Sequence, residues 1–401
     1  MLNIKEFETE LKEHIIPFWR GLRDEDFGGY FGLVDFNLNI HKKAVKGVIL
    51  NSRILWFFSE ASLIFKDDSA LKESLLSEAR HAYVFLRDHC IDSVNGGVYW
   101  SVTYDGKPED TIKHTYNQAF SIYALSAYFK ATGDADALRL AFELFVTIDD
   151  NCRDKNGYLE AFTEDFKPAG NDKLSENGVL ADRTMNTALH VLEAYTAFYD
   201  VSQSILVKER IRELLILFAD KIYDPKNKRL NVFFDNDYKS LLDLQSYGHD
   251  IESSWLIDEA IDVLPEGFLE KEEYERLRNM TESLAESTYK RAFNGESFKN
   301  ECEAGVVNEH RVWWVQAEAI VGFTNAYGKT GDDRFLEAAT ALWEFTKAHV
   351  IDKRPGGEWY WEVKETGEPY EREIVEPWKC PYHNGRMCME MMKRLRIQEK
   401  K

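Results

Sequence analysis

Helical segments, in which apolar residues recur every three or four positions, alternate along the chain with polar and aromatic clusters. The steps between successive clusters are 63, 70, 63, 65 and 69 residues, close to one sixth of the 401-residue length. The clusters are marked by Arg53, Tyr116, Asn186, His249, Trp314 and His383. An even period of this size predicts a structural unit repeated around a ring or along a stack.

Each cluster opens a segment with helical periodicity. From Met185 to Tyr199 the apolar residues keep the spacing that directs one helical face into a core. Asn186 and His190 are four residues apart and therefore share a neighbouring face. The same three-or-four spacing joins Tyr116 to Phe120, His249 to Glu252 and Trp314 to Glu318. Side-chain direction thus agrees with the sixfold period.

A second helical segment lies between successive clusters, and short glycine-aromatic segments precede most clusters. These segments, at 28–32, 96–100, 156–158, 230–234 and 356–361, predict short strands or hairpins. Six helix–loop–helix units favour a closed all-α ring of about twelve helices, because every cluster then faces one centre. Pro17 is expected to kink or end the first helix. With no linker evident, residues 1–401 are predicted to form one domain.

The amino-acid composition limits the class of ligand that the protein is expected to bind and its expected location in the cell. The net charge of −20 argues against nucleic acid and anionic membranes, which need clustered Lys and Arg. Aromatic residues reach 13%, including ten Trp, and suit a neutral sugar that stacks through its C–H faces. A charged amino terminus, no run of 18 apolar residues and five scattered Cys predict a cytoplasmic protein with reduced thiols. We expect a monomer or a weak homo-oligomer.

Histidines carry the candidate chemistry. Five of the ten lie in the same phase of the repeat, at His114, His190, His249, His310 and His383. No HxxxH or HExxH pair supports a metal site, and no GxGxxG, GxxxxGK[ST] or GxSxG motif is present. An imidazole both accepts and donates protons near neutral pH, so histidines in phase on several helices predict proton-transfer catalysis.

Seven ordered blocks resemble the signatures of cellobiose 2-epimerases, a group within the N-acylglucosamine 2-epimerase superfamily. They are NSRILW at 51–56, KHTYNQAF at 113–120, LSENG at 174–178, TMNTALH at 184–190, SYGHDIE at 246–252, VWWVQAE at 312–318 and WKCPYHNGRM at 378–387. The resemblance implies an (α/α)6 barrel. It also implies reversible C2 epimerisation of the reducing-end glucose of β-1,4-linked disaccharides such as cellobiose and lactose, through ring opening and an enediolate, without metal or organic cofactor.

The resemblance also assigns site residues. His249 and His383 match the two general acid/base histidines, His190 matches a third at the reacting centre, and Arg53 is expected to steady the enediolate. The residues expected to hold the sugar or orient the histidines are Tyr116, Ser175, Asn186, Glu252, Trp314, Glu318 and Trp378. Glu252, one turn after His249, is a candidate either to orient that imidazole or to accept hydrogen bonds from sugar hydroxyls, and the sequence does not distinguish the two.

Three alternatives remain open at the level of sequence. The nearest is another superfamily activity, an N-acylglucosamine 2-epimerase or a mannose-type aldose–ketose isomerase. A six-hairpin glycoside hydrolase or lyase would instead use two carboxyls as an acid/base pair, drawn from Glu252, Glu318 and Glu176. A non-catalytic sugar-binding protein gives no reason for histidines in phase.

Overall fold

A computed structural model describes residues 2–171, 173–174 and 177–398, and within these ranges the chain forms twelve helices. Ser175 and Glu176 lie outside the described residues. The helices are α1 (Ile4–Thr9, continued by Glu10–Ile15 and Ile16–Arg20), α2 (Val48–Ile64), α3 (Ser69–Phe85), α4 (Thr115–Thr132), α5 (Ala135–Thr147), α6 (Met185–Ser202), α7 (Ile205–Leu217), α8 (Tyr247–Val263), α9 (Lys271–Arg291), α10 (Trp313–Thr330), α11 (Asp333–Phe345) and α12 (His383–Gln398).

The even-numbered helices form an inner ring, and the odd-numbered helices pack around it. Each inner helix contacts the next, and α12 returns to α2 and closes the ring, while α1 packs on α12. Inner helices are buried on nearly every face, whereas an outer helix such as α11 buries one stripe that includes Phe335, Leu342 and Trp343. The predicted all-α (α/α)6 barrel is confirmed.

Five outer helices contain a turn of wider π-helical hydrogen bonding. In α1 this turn covers Glu10–Ile15, directly before Pro17. The other four follow α3, α5, α7 and α11 at Leu86–Cys90, Ile148–Cys152, Phe218–Ile222 and Thr346–Val350. Pro17 does not end the first helix, which continues to Arg20. Pro17 lies at the start of the α-helical turn that follows the π-helical turn, a position where a helix tolerates the lack of an N–H donor.

Short antiparallel pairs connect the helices, as the glycine-aromatic segments predicted. The strands are β1 (Lys46–Gly47), β2 (Ser101–Val102), β3 (Pro108–Asp110), β4 (Lys113–His114), β5 (Arg153–Asp154), β6 (Gly157–Tyr158), β7 (Ala161–Phe162), β8 (Arg183–Thr184), β9 (Tyr223–Asp224), β10 (Arg229–Leu230), β11 (Phe233–Phe234), β12 (Leu244–Ser246), β13 (Glu301–Glu303), β14 (Val306–Asn308), β15 (Arg311–Val312) and β16 (Glu362–Val363).

The strand before an inner helix pairs with the loop of the next unit around the barrel. The pairs β1–β2, β4–β7, β8–β11, β12–β13 and β15–β16 follow this rule. The bridge between Val34 and Val375 supplies the sixth pair and joins the two ends of the chain. These pairs place a rim of β structure at the N-terminal ends of the inner helices.

Buried Lys and Arg side chains that precede the inner helices form ion pairs with carboxylates in the hairpins that follow the outer helices. Lys46 donates to Asp24 at 2.6 Å, and Lys113 donates to Asp92 at 2.9 Å. Arg183 and Lys379 contact Asp154 at 2.5 Å and Glu358 at 2.6 Å in the same phase of the repeat. Because one side chain satisfies several loop acceptors, each inner helix starts from a fixed position.

Candidate active site

A cavity of about 430 Å³ opens at the N-terminal ends of the inner helices. This volume lies in the range of small-molecule sites. Among the candidate residues, those that line it are Arg53, Tyr116, Asn186, His190, His249, Trp314, Trp378 and His383. They come from all six inner helices or the loops before them, so the sixfold period does bring its clusters together.

His383 starts α12 and is held from behind by a carboxyl group. Its Nδ1 lies 2.7 Å from Oε1 of Glu318 on α10, and 4.0 Å from Oε1 of Glu252 on α8. Burial, together with the nearby Arg386 and Arg53, lowers the pKa of His383 well below its ordinary value. The imidazole is therefore neutral at neutral pH, with a carboxyl group placed to stabilise its protonated form.

His249 has a different partner. Its Nδ1 lies 2.8 Å from Oγ of Ser246, a hydroxyl that both donates and accepts. Burial, and then the nearby His190, lower the pKa of His249 to about 3. The Trp314 ring lies 4.7 Å from the His249 ring and 5.3 Å from the His383 ring, measured between centroids. Trp314 thus contacts both imidazoles in the cavity wall.

His190 is the third imidazole and has its own carboxylate. Its Nδ1 lies 2.9 Å from Oε2 of Glu193, one turn further along α6. Burial lowers the pKa of His190, and the contact with Glu193 opposes this shift. Burial would raise the pKa of Glu193, but Arg386 and the bond to His190 lower it to about 2. Glu193 is therefore a carboxylate at neutral pH.

Arg53 brings a buried positive charge to the cavity wall. Its Nη2 donates to the Tyr116 hydroxyl at 2.8 Å, and its Nη1 donates to the carbonyl of Trp378 at 3.3 Å. The guanidinium stacks on the Phe120 and Tyr382 rings, at 4.0 and 4.5 Å from their centroids. These contacts fix a cation, two aromatic rings and a hydroxyl beside the histidines.

Glu252 and Glu318 lie behind the cavity wall. Both carboxyl groups are buried and accept from Arg386 on α12. Of the two roles considered for Glu252, orientation of His249 does not match the structure, because Ser246 holds that imidazole and Glu252 faces Arg386 and His383. Burial raises the pKa of both carboxyls, and their proximity raises that of Glu252 further, so ionisation of both at once is opposed.

The same cluster has the geometry of a metal site. Ligand atoms of Glu252, Glu318 and His383 lie within 4.8 Å of one another. Arg386 Nη2 already contacts both carboxyl groups, so a cation sits at this position as part of the protein. A metal ion would have to displace that guanidinium.

The cavity is also lined by polar and aromatic residues to which the sequence assigned no role. His310, noticed only for its phase, contacts Glu362 at 3.0 Å and the Tyr370 hydroxyl at 3.2 Å. Arg372 lies over the Trp361 ring at 4.1 Å from its centroid.

The sequence also gave no role to Arg386, Glu193 and Tyr382, although Tyr382 and Arg386 lie within the block that contains His383.

The geometry defines an (α/α)6 barrel whose axial cavity combines three imidazoles, an arginine and aromatic walls. Residues 29–385 match the family model of N-acylglucosamine 2-epimerase (GlcNAc 2-epimerase), and the chain belongs to this family. It is therefore a carbohydrate epimerase. Among the described residues, no helix is both long enough and apolar enough to cross a membrane.

Individual relatives are similar over almost their whole length. The chain is 48% identical to the cellobiose 2-epimerase of Eubacterium cellulosolvens, with 96% of each protein covered. It is 48% identical to the cellobiose 2-epimerase of Ruminococcus albus, with 98% of each covered. The solved structure of the cellobiose 2-epimerase of Bacillus thermoamylovorans B4167 is 46% identical, with a TM-score of 0.93 over 98% of this chain and 99% of that one.

Proposed function

We propose that the protein epimerises C2 of the reducing-end glucose of β-1,4-linked disaccharides, converting cellobiose to glucosyl-mannose and lactose to epilactose. The observation that carries the proposal is the placement of His249 and His383 against Trp314 in one cavity. Relatives named cellobiose 2-epimerase, at 48% identity over nearly the whole chain, support the choice of substrate.

The two histidines suit inversion at a carbon next to a carbonyl. Ring opening exposes the aldehyde at C1, which makes the C2 proton acidic and allows an enediolate to form. One neutral imidazole removes this proton and becomes an imidazolium. Inversion then needs either a proton delivered to the opposite face of C2 by the other histidine, already protonated, or rotation about C2–C3 before the first histidine returns its proton. Since the reaction is reversible, each histidine serves as base in one direction and as acid in the other.

The partners of the two imidazoles distinguish their properties. Glu318 accepts from His383 Nδ1 at 2.7 Å and stabilises the imidazolium that forms when His383 takes a proton. Ser246 gives His249 a neutral partner. Because the pKa of each imidazole is lowered, each histidine favours its neutral form at neutral pH, and the one that acts as acid must take up a proton before the transfer.

Arg53 is proposed to stabilise the enediolate. Its side chain is 2% exposed, lines the cavity and keeps its charge at every working pH. A donor aimed at a developing oxyanion in a buried site contributes roughly 3 kcal/mol. His190 and Ser175 are proposed to assist ring opening at O1; Ser175 lies outside the described residues.

The remaining candidates are proposed to hold the sugars. Asn186 Oδ1 is buried and has no hydrogen-bond partner among the described residues, so it can accept from a sugar hydroxyl. Trp314 and Trp378 offer aromatic faces for packing. Beyond them, His310 and Arg372 provide polar groups for the second sugar of a disaccharide.

The experiment is incubation of chelator-treated protein with cellobiose in D2O, followed by chromatography and NMR of the products. Glucosyl-mannose that carries deuterium at C2 is expected, and its formation after chelation would favour a cofactor-independent reaction. His249→Asn and His383→Asn should each lower the rate about 100-fold or more. His41→Asn is the matched control, because the His41 side chain is 49% exposed.

Other outcomes would replace the proposal. Free glucose would indicate a hydrolase, and a ketose as the main product would indicate an isomerase. Turnover of N-acetylglucosamine or mannose in preference to cellobiose would indicate a different specificity within the family. If either active-site variant exchanges and epimerises at the parent rate, the role given to that histidine is wrong.

A further inference from the structure

Arg386 lies three residues after His383 on α12, at the centre of the carboxyl groups behind the cavity. Its side chain is 3% exposed. Nη2 donates to Glu252 and to Glu318, the latter at 2.7 Å. Nη1 donates to Glu193 and to the Tyr382 hydroxyl. The two ends of one planar guanidinium therefore reach carboxyl groups from three other positions in the ring of inner helices.

Two of these carboxyl groups hold histidines that line the cavity. Glu318 contacts Nδ1 of His383 at 2.7 Å, and Glu193 contacts Nδ1 of His190 at 2.9 Å. Arg386 is thus the common support of two imidazoles that lie on different helices. The Tyr382 hydroxyl reinforces one end, since it contacts the Glu193 oxygens at 2.6 and 2.5 Å.

A carboxylate accepts hydrogen bonds but donates none, so it decides the tautomer of a neutral imidazole. Glu318 accepts from Arg386 at Oε1 and from Trp255 Nε1 at Oε2, whereas Glu252 Oε2 has no partner among the described residues, so a proton shared by this pair belongs on Glu252 and Glu318 is ionised. His190 and His383 therefore carry their protons on Nδ1 and keep a lone pair on Nε2, the nitrogen turned away from the carboxylate. His249 is under no such constraint, because its partner Ser246 can donate or accept. The tautomer is therefore determined by the partner in His190 and His383, whereas Ser246 is compatible with either tautomer of His249.

We propose that Arg386 is a positioning residue that fixes the tautomers of His190 and His383 by holding Glu193 and Glu318 in place. Both imidazoles then present Nε2 as a proton acceptor to the sugar. The catalytic consequence rests on the proposed function, whereas the tautomers are a property of the free protein and can be measured without turnover.

The alternative is that Arg386 only neutralises buried carboxyl groups. Buried ion pairs are a poor guide to stability, and loss of one partner can destabilise a fold without any effect on chemistry. Arg386→Lys separates the two roles, because it keeps the charge but not the fork that spans Glu193 on one side and Glu318 on the other. Arg210→Lys is the matched control: Arg210, on the outer helix α7, has a side chain that is 15% exposed and pairs with both Asp149 oxygens at 2.6 and 3.0 Å.

The experiment combines kinetics on cellobiose with nitrogen-15 NMR of the histidine rings in full-length protein. In the parent, the signals of His190 and His383 should show Nδ1–H and unprotonated Nε2. Arg386→Lys should lower kcat about 100-fold, the order expected for a misplacement of about 1 Å, with KM changed less than about 3-fold. It should also produce mixed tautomers at both histidines, whereas Arg210→Lys should retain the parent kcat and ring signals.

Glu193→Gln provides a second test that keeps the side-chain volume. The amide can donate to Nδ1 of His190, so His190 should shift toward the Nε2–H form while His383 keeps its parent signals. The proposal is overturned if His190 and His383 keep their tautomers in Arg386→Lys, whether or not kcat falls, or if His190 is unchanged in Glu193→Gln. If the parent itself does not convert cellobiose, the proposed function fails, and the ring signals still decide the role of Arg386.

Discussion

At the scale of single residues, the three histidines of the cavity differ through their partners. Glu318 and Glu193 hold His383 and His190, and Ser246 holds His249. The sequence brought these histidines together by phase and by resemblance, but it offered Glu252 as a possible partner of His249. Three-residue spacing makes two side chains neighbours on a helix, yet here the closer partners of Glu252 come from α12 across the barrel. Such contacts between helices have no local sequence signal.

Gly248→Ala tests how closely the inner helices must approach beside His249. A Cβ at Gly248 would lie 2.5 Å from Cη2 of Trp314, inside any real contact distance. Trp314 would have to move, so we expect kcat/KM on cellobiose to fall about 100-fold and stability to fall by about 1–3 kcal/mol. Steady-state kinetics and thermal unfolding measure the two effects.

Gly328→Ala is the matched control, because its Cβ would meet nothing within 4 Å in the same type of inner helix. Activity should be retained, and stability should rise by about 0.5–1 kcal/mol since alanine favours the helix. Parent kinetics in Gly248→Ala would contradict a fixed position for Trp314.

At the scale of elements, periodicity predicted the paired helices, and glycine-aromatic segments predicted the hairpins. Most strands at the rim were not predicted, because two-residue strands such as β1 and β8 are too short to show alternation; β11 is an exception, since it lies in the predicted segment 230–234. The π-helical turns were also missed, since they shift hydrogen bonds without a change in composition. The buried cations before the inner helices recur with the same sixfold period, but charge alone does not distinguish them from surface residues.

Glu160 predicts a pH dependence of stability at the start of α6. Its buried carboxyl accepts from Thr184 N and Thr187 Oγ1, both at 2.6 Å. Burial raises its pKa from 4.5 to about 7, although these bonds oppose the shift. The folded state therefore holds a proton that the unfolded chain releases near pH 4.5. This contribution is complete below that pH and is lost as the pH rises through about 7.

We therefore expect the thermal midpoint to be higher at pH 5.5 than at pH 8.5, with Glu160 contributing at most about 3 kcal/mol. Asp250, whose pKa burial raises to about 7, acts in the same direction. Glu160→Gln should flatten the dependence measured by calorimetry, and Glu164→Gln, at an exposed position in the same loop, should leave it unchanged. An equal slope in the parent and Glu160→Gln would exclude Glu160 as its source.

At the scale of the whole molecule, the sixfold period predicted the number of units and favoured a closed ring, but it did not identify the contacts that close it. An open stack of helical hairpins has the same period, and only the contacts between the two ends of the chain distinguish the two arrangements. In the structure, α1 packs on α12, and Val34 pairs with Val375 at the rim. The closed ring was inferred from the period and the reaction class from the resemblance, whereas the support behind the histidines required coordinates.

The closure of the ring predicts how the barrel unfolds. The first helix is fastened to the last third of the chain: Phe7 stacks on Trp343 at 4.6 Å, and Glu6 accepts from Trp343 Nε1 at 2.7 Å. Trp359 Nε1 likewise donates to Glu10 at 2.8 Å. Because Phe7 is fully buried, Phe7→Ala should cost about 3–5 kcal/mol.

In a closed ring this loss should lower the stability of every unit together. Tryptophan fluorescence, circular dichroism and loss of activity should therefore follow one transition at a lower temperature in Phe7→Ala. Phe142→Ala, where the ring is 36% exposed on α5, should shift the same transition less. If the first helix of Phe7→Ala melted separately while activity persisted, α1 would not contribute to the stability of the rest of the barrel. A single transition would show that the contacts of α1 stabilise the closed ring that places the six inner helices around the cavity.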